Sequence, residues 1–206
     1  MVLFCKSTRK ISIYSRGKKK YLEVDRANRK ANSLYKALER VERETTPSRF
    51  EHTLRVIQTA AEISRQSKLR EEEHANLLLA CAYHDFSKNW SRARLLNKAS
   101  ILYSKSKEEL LPSLWWLHGP IGANYLKEKG YVSNPSILRA IEYHSRPIKD
   151  LDRLGKILII ADKIEPNKKH KFSEEQYSWI EAELERGNVD SVYSYFLELP
   201  PKGQTT

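Results

Sequence analysis

The residues best suited to chemistry in this chain are His84 and Asp85, set in the run Ala80-Cys81-Ala82-Tyr83-His84-Asp85-Phe86-Ser87-Lys88. An apolar segment containing Ala75, Leu77, Leu78, Leu79, Ala80 and Cys81 ends by presenting an imidazole and a carboxylate on adjacent residues. Burying a polar group unpaired costs about 2–7 kcal/mol even when it is neutral. A divalent metal removes that cost, because it binds neutral imidazole and ionised carboxylate together. The pair gains meaning from its surroundings. His52 lies upstream in Arg49-Phe50-Glu51-His52-Thr53, and Asp162 lies downstream in Ile159-Ile160-Ala161-Asp162-Lys163-Ile164-Glu165-Pro166.

The order His … His-Asp … Asp resembles the HD superfamily of metal-dependent phosphohydrolases. Between the pair and the last Asp sit Leu117-His118-Gly119-Pro120-Ile121-Gly122-Ala123 and Ala140-Ile141-Glu142-Tyr143-His144. With Ala-Asp-x-Ile-Glu-Pro after them, these segments are similar to the bacterial YqeK-like family of HD-domain symmetrical diadenosine tetraphosphatases. The similarity covers about residues 30 to 198, with five motifs in the family's order.

The resemblance implies an all-α fold, a single HD-domain helical bundle. It implies a first metal on His52, His84, Asp85 and Asp162, and a second on His118 and His144 with Asp85 as bridge. The family's centre of this kind is dinuclear and prefers iron. The residues alone say less: a mixed imidazole and carboxylate set suits iron, manganese or another transition ion better than an all-oxygen magnesium cage. The activity implied is symmetrical cleavage of diadenosine tetraphosphate into two ADP, with metal-bound hydroxide attacking an inner phosphate. Two ions roughly 3.5–4 Å apart can activate water and stabilise both attacking and leaving oxygens.

Lys88, four residues after His84, comes one helical turn beyond the ligands, and the family commonly carries a lysine there. Asp85 and Lys88 are thus the candidate catalytic residues, and Arg49, Lys88 and Arg146 the candidate substrate-binding cations. Read without the resemblance, the four core ligands could instead form a hydrogen-bonded network. His118 could open a helix and His144 close one, Lys88 could satisfy terminal carbonyls, and Arg49 could be a surface residue. Glu165 reads either as partner to a ligand histidine or as a surface helix-end acid. Tyr83, Trp115, Trp116 and Tyr143 flank the ligands and could stack adenine, but they are read as hydrophobic wall and given no substrate role; His74 and His170, in charged contexts, read as surface residues.

Two departures bear on substrate. After Tyr143-His144 the family runs Thr-Thr-Gly-Arg, whereas this chain has Ser145-Arg146-Pro147-Ile148, so basic charge is kept in a different loop. Lys168-Lys169 follows Pro166-Asn167 where a Gly-Arg pair is usual. Other HD-type nucleotide phosphohydrolases, or a cyclic-nucleotide phosphodiesterase, fit the same ligand set, because specificity lives in loops. A regulatory nucleic-acid-binding protein is the reading from another class.

The elements that must position these residues are helical. Seven Gly and eight Pro in 206 residues leave long uninterrupted segments. Val24, Ala27, Ala31, Leu34, Leu38 and Val41 form one stripe, a helix that docks on the domain rather than pairing as a coiled coil. Helices follow over about 47–67, 71–86, 119–129, 135–145, 153–164, 173–186 and 188–198, with only short helices near 93–98 and 108–111. Cys5 and Cys81 are too few for a disulfide framework. No apolar stretch approaches the roughly 20 residues that span a bilayer, and a cytoplasmic protein is expected.

The charge of +11 is unevenly placed: residues 1–49 hold 14 Lys+Arg against 5 Asp+Glu, and residues 50–206 hold 23 against 21. Residues 1–22, expected to form a short strand or nothing stable, are therefore read as a basic N-terminal extension, 23–198 as the HD domain, and 199–206 as a tail. Arg16-Gly17-Lys18-Lys19-Lys20 could bind nucleic acid, but a solvated, poorly ordered arm is the expectation and nucleic acid is not an expected partner. The partner expected is a dinucleoside polyphosphate substrate, and no membrane.

Overall fold

A computed structural model describes residues 8–15, 18–25 and 29–199, with side chains described from residue 33 onward. Cys5, Gly17, Ala27 and the tail from Pro200 lie outside the described residues. An antiparallel hairpin comes first, β1 (Thr8–Ser15) with β2 (Lys18–Asp25), in the register Thr8 to Asp25 and Ser15 to Lys18. Val24 therefore belongs to a strand, and the first helix opens at Arg29 rather than at Val24.

Among the described residues ten α-helices follow: α1 (Arg29–Glu44), α2 (Pro47–Gln66), α3 (Glu71–Tyr83), α4 (Arg92–Tyr103), α5 (Lys107–Leu110), α6 (His118–Glu128), α7 (Pro135–Tyr143), α8 (Arg153–Ile164), α9 (Glu174–Glu185) and α10 (Val189–Glu198). Apart from the hairpin the described fold is an all-α bundle. None of the described helices is long and apolar enough to cross a membrane.

Helix α8 is the axis of the bundle. Leu154, Gly155 and Ile157 through Ala161 are all buried, and a helix apolar on every side must be enclosed on every side. Helices α2, α3, α7 and α10 enclose it. Asp162 follows directly on that run, so burial of α8 carries a carboxylate into the interior. The Leu34, Leu38 and Val41 stripe of α1 packs on α3 and is buried, as docking requires.

Two boundaries differ from the sequence reading. Helix α3 stops at Tyr83, and residues 83–90 continue as successive tight turns, with the N–H groups of Phe86, Lys88 and Trp90 bonded to the carbonyls of Tyr83, Asp85 and Ser87. The His84 ring itself takes the Cys81 carbonyl, a group that a continuing helix would have satisfied with backbone. Helix α4 is twelve residues rather than a short turn, because Leu95, Leu96 and Ala99 give it a buried edge and the Ser91 hydroxyl caps its start. Gly130, at φ +64°, ends the turn after α6 in the left-handed region that glycine tolerates.

Candidate metal centre

Five elements deliver six side chains to one point. His52 comes from the second turn of α2, and His84 and Asp85 from the turn that closes α3. His118 opens α6, His144 closes α7, and Asp162 lies in the last turn of α8. All four histidines and Asp85 are buried. The structure brings together every residue that the sequence put forward as a metal ligand.

Asp85 divides the group in two. Its Oδ2 faces Nε2 of His84 at 3.6 Å and Nε2 of His52 at 3.8 Å. Its Oδ1 faces Nε2 of His118 at 3.2 Å and Nε2 of His144 at 3.3 Å. Asp162 joins the first set, with Oδ1 at 3.1 Å from His52 Nε2 and 3.9 Å from His84 Nε2. His52, His84 and Asp85 form one group of potential ligand atoms within 4.8 Å of each other, and Asp85, His118 and His144 form another. One carboxylate thus serves two imidazole sets, one oxygen to each.

Three of the rings are aimed from behind. Nδ1 of His84 bonds the Cys81 carbonyl at 2.8 Å, and Nδ1 of His144 bonds the Ile141 carbonyl at 2.7 Å. A carbonyl only accepts, so each Nδ1 carries the proton and each Nε2 turns a lone pair inward. His52 does the same through Glu165, whose Oε1 accepts from Nδ1 at 3.2 Å. The Nε2 atoms of His52 and His84 are buried without a hydrogen-bond partner. His52 Nε2 lies 3.1 Å from Asp162 Oδ1, a contact that either a proton on that nitrogen or a cation between the two must satisfy. A cation between such atoms satisfies both, so the donor set fits a divalent transition ion.

Electrostatics agree with that fit. Burial holds His84 neutral, lowering its pKa to about 3, and lowers His118 to about 4, so both rings are lone-pair donors at neutral pH. Burial opposes ionisation of Asp85 and Asp162, but the facing imidazoles, with Lys168 beside Asp162, hold both carboxyls well below the ordinary range. Burial would also depress His52, yet Asp162 and Glu165 on its two nitrogens raise its pKa: the site favours positive charge there.

Cations ring the cluster. Arg49 donates from Nη1 to Asp85 Oδ2 at 2.7 Å, the carboxylate pairing that its place one turn before His52 allowed. The Lys88 ammonium sits 3.1 Å from His118 Nε2, its pKa lowered by burial. Arg146 stands apart from the six, exposed, with its guanidinium 5.0 Å from the centre of the Trp116 ring.

Several participants escaped the sequence reading. Arg55 donates to Glu165 Oε2 at 2.7 Å and so fixes the carboxylate that orients His52; its spacing of three from His52 on α2 was the available signal. Lys168, noted only as a departure from the family, pairs with Asp162 Oδ1 at 2.7 Å. The Ser87 hydroxyl donates to the His118 carbonyl at 2.6 Å and ties the two halves of the site together. His74, read as a surface residue, is half-buried with Nδ1 2.6 Å from the Ser64 hydroxyl, because the first turn of α3 lies against α2. His170 is exposed.

A family model described as HD domain matches residues 49–167. The chain is 28% identical over 173 residues to a Halalkalibacterium halodurans protein named bis(5'-nucleosyl)-tetraphosphatase, symmetrical, a match covering 82% of this chain and 88% of that one. A Bacillus subtilis protein of the same name is 29% identical over 171 residues, with the same two shares, 82% and 88%. Among solved structures, an HD superfamily hydrolase from Clostridium acetobutylicum, described as involved in NAD metabolism, superposes with a TM-score of 0.63. It shares 20% identity and covers 77% of this chain and 79% of its own, a likeness of fold. The matched segment spans more than half of the chain and holds all six residues of the cluster, and the chain belongs to the HD domain family.

Proposed function

We propose that this chain is a metal-dependent phosphohydrolase that splits diadenosine tetraphosphate symmetrically into two ADP. The observation that carries the reading is the division of Asp85, one carboxylate oxygen to each of two buried imidazole sets. That arrangement suits a dinuclear site, with His52, His84, Asp85 and Asp162 for one ion and Asp85, His118 and His144 for the other. The ions, proposed to be iron, would supply an activated water and neutralise charge on the transferring phosphate. The two tetraphosphatases that resemble this chain over most of its length support the substrate. A cytoplasmic location is proposed together with that substrate.

The chain's own residues do the rest. Glu165 and the two main-chain carbonyls hold three rings at fixed orientation, so little reorganisation is needed when charge develops. Lys88, 3.1 Å from His118 Nε2, is proposed to meet a phosphate oxygen or the leaving ADP. Arg49, at the Asp85 end, balances charge on the opposite side of the bridge. Arg146, exposed over the Trp116 ring, is proposed as a substrate contact at the rim.

The test is anaerobic purification, metal analysis, and a panel of dinucleoside polyphosphates, mononucleotides and cyclic nucleotides. ADP as sole product from diadenosine tetraphosphate is the expected result. AMP with ATP, or faster turnover of a cyclic nucleotide, would overturn the reading.

A further inference from the structure

The surface beside the second imidazole set is aromatic and open. Trp115 is 56% exposed and Tyr103 36%, although side chains of this size are ordinarily covered in a folded domain. Trp116 packs edge-on against Tyr103, ring centres 6.4 Å apart at 69°, and the Arg146 guanidinium lies over the Trp116 ring, 5.0 Å from its centre.

This group is bound to the centre through the main chain. Trp116 and Arg146 each lie two residues from a candidate ligand, His118 and His144. The Trp116 carbonyl accepts both the Gly119 N–H at 3.1 Å and the Ser145 hydroxyl at 3.1 Å, which joins the turn before His118 to the loop after His144. Trp116 and Arg146 are thereby held beside the segments that carry His118 and His144, the second imidazole set.

We propose that Tyr103, Trp115, Trp116 and Arg146 form a purine-stacking platform that receives one nucleoside end of the substrate. Exposed indole rings and an arginine plane held over an indole offer flat, polarisable faces. Bases stack on such faces because every base has a π-face, and a guanidinium adds cation–π attraction. A hydrophobic wall would have been covered, whereas Trp115 and Tyr103 are exposed. The substrate rests on the tetraphosphatase reading, whereas base binding to the platform does not.

The test follows tryptophan fluorescence of the full-length, chelator-treated protein during titration with AMP or with ribose 5-phosphate. AMP should quench saturably and ribose 5-phosphate should not. Trp115→Ala should weaken AMP about five- to 100-fold, the range expected for one lost stack, and Trp115→Phe should recover most of it. Arg146→Lys keeps charge but removes the plane, and should behave like Arg146→Ala. In kinetics, Trp115→Ala should lower the ratio of kcat/KM for diadenosine tetraphosphate to that for inorganic tetraphosphate by a similar factor.

Equal titration by AMP and ribose 5-phosphate, or wild-type AMP affinity in both Trp115→Ala and Arg146→Lys, overturns the proposal. So does concentration-dependent self-association that Trp115→Ala abolishes without any change in AMP binding, since the face would then be a protein interface. Quenching that depends on Trp115 and Arg146, in a protein that splits no dinucleoside tetraphosphate, supports the platform and defeats the substrate reading instead.

Discussion

Glu165 accepts a hydrogen bond from Nδ1 of His52 at 3.2 Å across a separation of 113 residues. Its other oxygen takes Arg55 at 2.7 Å and the Asn167 N–H at 3.0 Å, and His52 with these donors holds its pKa at about 2 against the opposing effect of burial. A carboxylate fixed at three points keeps the His52 ring in one tautomer and raises its basicity as a ligand. Glu165→Gln keeps the shape and removes the charge. It should weaken metal binding about 10- to 100-fold with helical content preserved, read by calorimetric metal titration beside circular dichroism. Wild-type metal affinity in the variant would leave Glu165 without this role.

Asp85→Ala should abolish hydrolysis and reduce metal content at both sites, since both imidazole sets face its oxygens. The helices keep their buried faces, so far-ultraviolet circular dichroism should change little. Metal analysis on protein handled with metal-free reagents is the check, and full activity would dismiss the site.

Metal loading should proceed in two steps, the second weaker. The first set has two carboxylates and two rings anchored at Nδ1, whereas His118 in the second set has Lys88 at 3.3 Å from Nδ1 rather than an anchoring acceptor. Stoichiometric titration of the chelator-treated protein should resolve one tight and one looser ion. A single ion per chain at saturation would contradict the bridged arrangement.

Gly119→Ala tests the packing that brings His118 to His144. A Cβ at Gly119 would lie 2.6 Å from the Glu142 carbonyl oxygen and 3.1 Å from that of Ile141, both main-chain atoms of α7. The helices must then move apart, at a cost of about 1–3 kcal/mol. The melting temperature should fall by several degrees and the weaker metal should be lost first. An unshifted melt with two metals bound would show that the gap can open freely.

Alkaline stability should depend on Tyr193, whose hydroxyl donates to the Ile148 carbonyl at 2.6 Å in the loop after His144. Burial pushes its pKa up to about 12. A raised pKa favours the neutral form in the folded chain, so its contribution is complete below the ordinary tyrosine pKa of about 10. It is lost as pH rises through about 12. Tyr193→Phe removes a bond worth about 0.5–1.5 kcal/mol at neutral pH and should flatten the decline in melting temperature above pH 10. Parallel declines in the two proteins would rule this out.

The sequence by itself determined which six side chains would meet. His52, the His84-Asp85 pair, His118, His144 and Asp162 stand in short motifs whose order is readable along the chain, and the apolar run of α8 announces a buried helix. It also determined the docking stripe Leu34, Leu38 and Val41, because a period of 3.6 is a local property. Its limits follow from the same locality. The end of α3 at Tyr83 depends on a ring taking a carbonyl, and the full length of α4 depends on which face of Leu95, Leu96 and Ala99 finds a neighbour. Only the tertiary structure decided which nitrogen of each ring turns inward and which oxygen of Asp85 serves which set. It also decided that Arg55 reaches Glu165 across 110 residues and that Arg146 lies on Trp116. Those choices are made by rotamers and hydrogen-bond partners supplied from distant segments, and no spacing within one segment encodes them.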